Sequence, residues 1–414
     1  MSTPATLSPN VLLLGNYRPT LTLARTLSDD GFRIISGREG CDGGAEYCRF
    51  VDEIWDHRPA KQDPDGFIAD LEALLAARPE ISVVYPVSED FVRLIATRRS
   101  SLPAGPTYVT AAPESVADCL DKLRLMTMAA ENAVATAPFA MVSGTTAFRE
   151  AANRIGLPLV VRPEKSTDRI RGRKAIVCET ETQLEDMTAE MMRGARMLLQ
   201  RKVVGRRHNI YFGAQGGRVV RYLHAVILRT DMQDGTGLAV DGITIAPDPM
   251  LRRYTERLVG ILNYTGVGCA QFLVDDQDGQ VCFLEINPRI AGNHAVPEAA
   301  GLDLGRLAID LAVNPSQPVP VIEGRHGLRY AWTCGDLLGI KHALFRGEID
   351  SREAMRAVCR AIGTAFMADV HMKWSWTDPL PGLMSLGEVL PTPGGLAMRV
   401  VRAVWPSRNL WQRT

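Results

Sequence analysis

The sequence predicts a mixed protein, α/β in its N-terminal part and α+β beyond it. Residues 10 to about 110 alternate strand-like and helix-like runs, the pattern of a parallel sheet covered by helices. Farther on, the apolar runs starting at Ala270 and Val281 flank the turn-formers Asp275, Asp276, Gln277, Asp278 and Gly279, which reads as an antiparallel hairpin. At 414 residues the chain is long enough for two or three separate cores.

The alternation begins with a strand over Val11 to Leu14 and a helix from Pro19 through Leu27. A strand over Arg33 to Ser36, a helix near Phe67 to Ala77 and a strand over Ser82 to Pro86 follow. Gly15 closes the first strand, but the GxGxxG of a dinucleotide fold is missing. Asn16, Ser88 and Glu89 lie just past strand ends, where open α/β sheets bind ligands; Asn16 and Glu89 are therefore candidate substrate contacts.

A helix is expected from Pro113 to roughly Glu131, carrying Asp121-Lys122, with Ala137-Pro138 closing the linker after it. The short strand from Leu157 to Pro163 ends in Arg162, whose fork can grip a phosphate through two parallel bonds. The loop from Glu164 to Lys174 has one glycine and five cations, so point charges would take the place of backbone amides. The strand Met197 to Gln200 leads into Arg201, Lys202, Val203, Val204 and Gly205. Strands near Val219 to Arg229 and over Asp241 to Pro247 precede a helix from Pro249 to about Leu262.

Hydrophobic residues make up 46% of the chain and charged ones 23%, as in ordinary globular proteins. Lys plus Arg, 47, equals Asp plus Glu, 47, so no global charge favours nucleic acid. No stretch approaches a membrane-spanning length and the N-terminus lacks a secretory pattern, which gives a cytoplasmic expectation with no integral membrane segment. The eight cysteines show no CxxC pair or zinc spacing and read as reduced core residues.

The most informative run is Phe283, Leu284, Glu285, Ile286, Asn287, Pro288, Arg289. In a strand, alternate side chains share a face, so Glu285, Asn287 and Arg289 would point into one site. The hairpin lets Gln271 sit beside Glu285. Oxygen donors from Gln271, Glu285 and Asn287 suit Mg²⁺, with Mn²⁺ as a substitute, bridging nucleotide phosphates.

FLEINPR preceded by GCAQFLV resembles the metal-binding end of the ATP-grasp superfamily, with carbamoyl-phosphate synthetase large subunit and biotin carboxylase nearest in pattern. The resemblance implies an ATP-grasp fold with four parts. These are an N-terminal α/β domain (1–110), a small lid subdomain (111–205), a metal-binding subdomain with a large antiparallel sheet (206–315), and a C-terminal region of unknown role (316–414). It implies Gln271, Glu285 and Asn287 as metal ligands, Arg289 at the transferred phosphoryl group, and Lys122 and Arg162 at the nucleotide phosphates. Gln200, Lys202 and Val203 match the adenine hinge, and His208 could reach a nucleotide hydroxyl. The run Ile290 to Glu298 is similar to a biotin carboxylase loop, which makes Asn293 and His294 candidate substrate contacts. Asn293 stands where that enzyme has a Glu base, and a neutral amide takes no proton. The family's glycine-rich loop and hinge acids are absent.

The activity implied is attack of a small carboxylate on the γ-phosphate of ATP, giving an acyl phosphate that an amine captures. A nucleotide-binding module without turnover and a bicarbonate-using carboxylase are the alternatives. Beyond Pro320 no catalytic constellation is legible. Trp332, Asp336, a helix from Ser351 to Ala361 and the segment Trp374 to Pro381 read first as core packing, and also suit a cap over the site or a homodimer contact. The basic, amphipathic tail from Ala397 to Trp405 reads as a docked helix, with an anionic membrane surface as the other option.

Overall fold

A computed structural model describes residues 9–39, 43–164, 168–173, 175–191, 194 and 196–389. Cys41, Lys165, Lys174 and the tail beginning at Ala397 lie outside the described residues.

The N-terminal part runs β1 (Asn10–Leu14), α1 (Arg18–Asp29), β2 (Arg33–Arg38), β3 (Glu53–Asp56), α2 (Pro64–Ala77), β4 (Ile81–Pro86), α3 (Glu89–Thr97) and β5 (Thr107–Tyr108). Its sheet has the order β3-β2-β1-β4-β5 with every pairing parallel. Central β1 is sealed on both faces, with Val11 to Leu14 fully buried, as a continuous apolar run in a parallel sheet should be. Gly15 then turns the chain at φ +113°, where any Cβ would press on Ser88 at 3.2 Å. That turn delivers Tyr17 and Arg18 to the C-terminal edge of the sheet.

The expected single helix over 113–131 is two helices, α4 (Pro113–Leu120) and α5 (Lys122–Glu131). Asp121 between them is extended, and its carboxylate accepts from the Arg124 N–H at 2.9 Å, which caps α5 and breaks the run. Both helices pack on the large sheet: Val116, Leu120, Leu125 and Ala129 share a core with Phe272, Phe283 and Ile286. The small sheet itself begins later. It comprises β6 (Phe139–Ser143), α6 (Thr145–Ile155), β7 (Leu159–Pro163), β8 (Ile176–Cys178), α7 (Glu181–Met191) and β9 (Arg196–Arg201), ordered β6-β9-β7-β8 and antiparallel.

The large sheet is built from β10 (Arg206–Gln215), β11 (Arg218–Thr230), β12 (Ala239–Ile245), then α8 (Pro249–Ile261), β13 (Gly266–Val274) and β14 (Val281–Asn287). The chain continues through α9 (Ala295–Ala299), α10 (Leu304–Val313), β15 (Ile322–Glu323), β16 (Arg329–Ala331), α11 (Thr333–Phe345), α12 (Ser351–Met367), β17 (Val370–His371) and α13 (Leu380–Val389). The order is β14-β13-β10-β11-β12-β16-β17, with β15 beside β11. The C-terminal region is thus part of this sheet, since β16 pairs with β12.

Strand alternation divides the large sheet into two faces. Ile210, Phe212 and Phe272 pack with α4, α5 and α8. Tyr211, Ala225 and Cys269 belong to a core shared with α1, α10 and β16. A clasp then returns the chain to its beginning. Asp378, 2% exposed, pairs with Arg25 of α1 at 2.9 Å and accepts from the Arg49 N–H at 3.0 Å.

Candidate active site

The pairing of β13 with β14 places Gln271 directly opposite Glu285, and Cys269 opposite Asn287. A bulge between Gln271 and Phe272 resets the register, so Phe283 faces Phe272 in the core while Glu285 stays on the other face. The Asn287 amide lies 3.1 Å from Glu285 Oε1. All three side chains are only partly buried and thus reachable. On the far side of β13, Asn209 stands opposite Gln271. Asn209 is 4% exposed and its Oδ1 is buried without a hydrogen-bond partner. An orphaned amide oxygen beside two more amides and a carboxylate is a hard-oxygen donor set, which fits Mg²⁺.

Arg289 follows two residues past the end of β14, close enough to Glu285 to feel its charge. Its Nη1 donates to the Ile290 carbonyl at 2.9 Å while Nε is buried and unpaired. Burial works against its charge, but Tyr17, Glu89 and Glu285 outweigh that and hold its pKa above the usual value. The guanidinium is therefore a fixed cation beside the carboxylate site.

Across the cleft, the small sheet turns Val160 and Arg162 away from its own core, which contains Leu159 and Val161. Arg162 is partly exposed, next to Leu198 in register. Lys122, 9% exposed, donates to the Pro163 carbonyl at 3.2 Å and so reaches the end of the same strand. Gln200 is buried, with Nε2 3.8 Å from Cys282 Sγ, joining the small sheet to β14 at the back of the cleft. Val203 is partly exposed. Lys202 is held by Glu179 at 2.7 Å.

Several expected contacts are placed elsewhere. His208 alternates with Asn209 and points to the opposite face, where its Nδ1 lies 2.7 Å from His224 Nε2; it cannot reach a nucleotide lying over Gln271. His294 is fully buried, 3.0 Å from Glu298, and is a packing residue. Asn293 is 5% exposed and donates to the Tyr211 hydroxyl at 2.5 Å, so its amide braces the pocket wall. Asn16 donates to Glu46 at 2.8 Å and accepts from the Ala45 N–H at 3.0 Å, shaping a loop. Glu89 pairs with Arg93 at 3.2 Å and acts on the site through its charge on Arg289. In the basic loop, Arg171 is bound to Glu190 at 3.2 Å. Arg173 crosses to Asp234 at 3.2 Å and Glu348 at 2.8 Å, so neither arginine is aimed at a phosphate.

The carbamoyl-phosphate synthase L chain, ATP-binding domain family matches residues 236–318. The carbamoyl phosphate synthase large chain of Clavibacter michiganensis subsp. michiganensis is 29% identical over 179 residues, covering 40% of this chain and 16% of that protein. The match therefore spans well under a fifth of the relative's length. Biotin carboxylase from Campylobacter jejuni, solved as a β-γ-ATP complex, superposes with a TM-score of 0.60 at 19% identity, over 75% of this chain and 72% of that one. L-amino acid ligase from Bacillus licheniformis gives 0.58 at 14% identity, over 78% of this chain and 79% of that one. Three sheets, with a strand hairpin carrying the oxygen donors Gln271, Glu285 and Asn287, fit an ATP-grasp fold. The chain has this fold and is similar in sequence to the carbamoyl-phosphate synthase ATP-binding domain over residues 236–318.

Proposed function

We propose that the protein is an ATP- and Mg²⁺-dependent ligase that activates a small carboxylate as an acyl phosphate and transfers the acyl group to an amine. The observation that carries this reading is the row Asn209, Gln271, Glu285 on one sheet face, continued by Asn287 and Arg289. Mg²⁺ bound there, on Gln271, Glu285 and Asn287, would neutralise phosphate charge.

The chain's own part is positioning and electrostatics. Lys122, from the start of α5, and Arg162, from the small sheet, would present cations to the phosphate chain. Arg289 faces the transferring phosphoryl group from the large sheet. A carboxylate oxygen attacks the γ-phosphorus and the bond to the ADP oxygen breaks. The amine nitrogen then attacks the acyl carbon, the carbon–oxygen bond to phosphate breaks, and the amine's proton is lost to solvent. Asn293, neutral and tied to Tyr211, offers no base for bicarbonate, which speaks against carboxylase chemistry.

Release of ADP and phosphate against a panel of carboxylates and amines tests the proposal. Acid-dependent ADP release, with the acyl phosphate captured by hydroxylamine as a hydroxamate and phosphate released, supports it. The engaged lid arginines, Arg171 and Arg173, favour a second reading, a nucleotide-binding module without turnover. Stabilisation by MgATP with no ADP release under any pairing would select that reading.

A further inference from the structure

Beside the metal row lies a second group of unsatisfied polar atoms that nucleotide binding does not explain. Arg18, at the start of α1, is 9% exposed, its guanidinium lies 3.5 Å from the centroid of the Trp332 ring, and its Nη1 is buried without a partner. Among the described residues no carboxylate pairs with it. Arg207, on the same face of β10 as Asn209, donates through Nη1 to the Gly237 carbonyl at 3.0 Å, while its Nε is buried and unpaired. The Trp332 indole N–H is unpaired as well. Arg18 comes from α1, Arg207 from β10 and Trp332 from the residue after β16, and Asp231 and Tyr330 each lie near both arginines.

Cations outnumber carboxylates around these groups. Arg18 feels Tyr17, Asp231, Tyr330 and Arg289, and burial pushes its pKa down to about 10. Lys373, on the C-terminal arm, adds another nearby cation that feels Arg18. Asp231, which accepts from the Leu238 N–H at 2.6 Å, lies near both Arg18 and Arg207 and offsets part of their charge. A buried, unpaired guanidinium is costly, and so are several orphaned donors; each is repaid when an anion arrives. The backbone also makes room for one side only: a Cβ on Gly292 would sit 3.0 Å from Arg18 Nη2, so this glycine lets the loop close over the guanidinium. Arg207, Arg289 and Trp332 are partly exposed, so the cluster opens to the cleft.

We propose that Arg18 and Arg207, with Trp332 holding Arg18 flat, form a second anion subsite, and that the acceptor acid is consequently dianionic. This rests on the ligase reading. One carboxylate would lie at Arg289 for activation, and the acid's other anionic group, a carboxylate or a phosphate ester, would be gripped by Arg18 and Arg207 through charge-assisted bonds. A zwitterionic amino acid fits poorly, because its ammonium would meet the same cations. Trp332 is a positioning residue: it acts through Arg18.

The test measures ADP release with MgATP and hydroxylamine for acetate, glycine, succinate, malate and 3-phosphoglycerate, in the wild type and in Arg18→Met, Arg207→Gln, Trp332→Phe and Trp332→Leu. A preference for the dianions, with KM for them raised roughly 10- to 100-fold in Arg18→Met and kcat changed far less, is the expected result. Trp332→Phe should retain the preference and Trp332→Leu lose it. Arg207→Gln, at a partly exposed position, serves if Arg18→Met does not fold. Preference for acetate or glycine, or a preference indifferent to Arg18 and Arg207, would overturn the subsite and leave the ligase reading standing. If no acid drives ADP release, thermal stabilisation by the same acids with β,γ-methylene-ATP and Mg²⁺ decides. Stabilisation by dianions that depends on Arg18 keeps the subsite while the ligase reading falls, and its absence sinks both.

Discussion

Asn209 and Gln271 face each other across β10 and β13, and the Asn209 carboxamide oxygen is buried with no hydrogen-bond donor. A donor of that kind is held ready for a cation or a well-placed water. Asn209→Leu should raise KM for MgATP roughly tenfold, the value of one polar contact, with little change in thermal midpoint. Steady-state kinetics over a Mg²⁺ titration reads it, and an unchanged Mg²⁺ dependence would count against the assignment.

Glu285 supplies the one carboxylate of the donor row. Glu285→Ala should reduce ATP turnover by at least about a thousandfold, comparable with deleting a major electrostatic stabiliser, and leave circular dichroism unchanged. Turnover within tenfold of wild type would remove the metal assignment.

Asp378 joins the C-terminal arm to α1 through Arg25 and the Arg49 N–H. Removing one partner of a buried pair leaves the other charge stranded, at about 3 kcal/mol. Asp378→Ala should lower the thermal midpoint and make the segment after β17 an early site of limited proteolysis. An unaltered digestion pattern would show the clasp to be incidental.

The His208–His224 pair gives a pH signature. Burial pushes both rings down to about 4, well under the ordinary 6.5. Between those limits the unfolded chain binds protons that the folded chain refuses, so stability is full above about 6.5 and is lost as pH falls through about 4. Denaturant midpoints should drop from pH 7 to pH 5, and the drop should shrink in a His208→Phe, His224→Leu double variant. Equal slopes would refute the link.

Arg173 ties the lid loop to Asp234 and Glu348, at positions largely open to solvent. Such pairs contribute little, about 0.2–1 kcal/mol each, and are screened by salt. Arg173→Ala should therefore change KM for ATP by no more than a few-fold, with the difference vanishing at high salt. A large, salt-independent effect would point to direct phosphate contact instead.

Short-range periodicity carried most of what could be read in advance. Glu285 and Asn287 alternate in one strand, and Gln271 is joined to them by a single hairpin, so their shared face follows from local pattern; Arg289 lies past the strand end, in a turn whose N–H bonds back to the Asn287 carbonyl. His208 went astray because the pleat gives a strand two faces, and only the pairing of Asn209 with Gln271 says which one looks into the cleft. Asn209 itself carries no motif; its neighbour arrives through a sheet pairing remote in sequence. Arg18 and Trp332 come from opposite ends of the chain, and no local signal links them. Within the N-terminal part the alternation sufficed, whereas the break at Asp121 came from side-chain capping inside an otherwise helical pattern.

Because β16 and the Trp332 indole are contributed by the stretch after Pro320, that stretch would wall the proposed acid subsite as well as extend the sheet. Two homologues could share every nucleotide-handling residue and yet accept different acids if they diverged only there. Exchanging the last hundred residues between relatives should thus transplant acid preference, and a shortened chain would lose selectivity before it lost its grip on ATP.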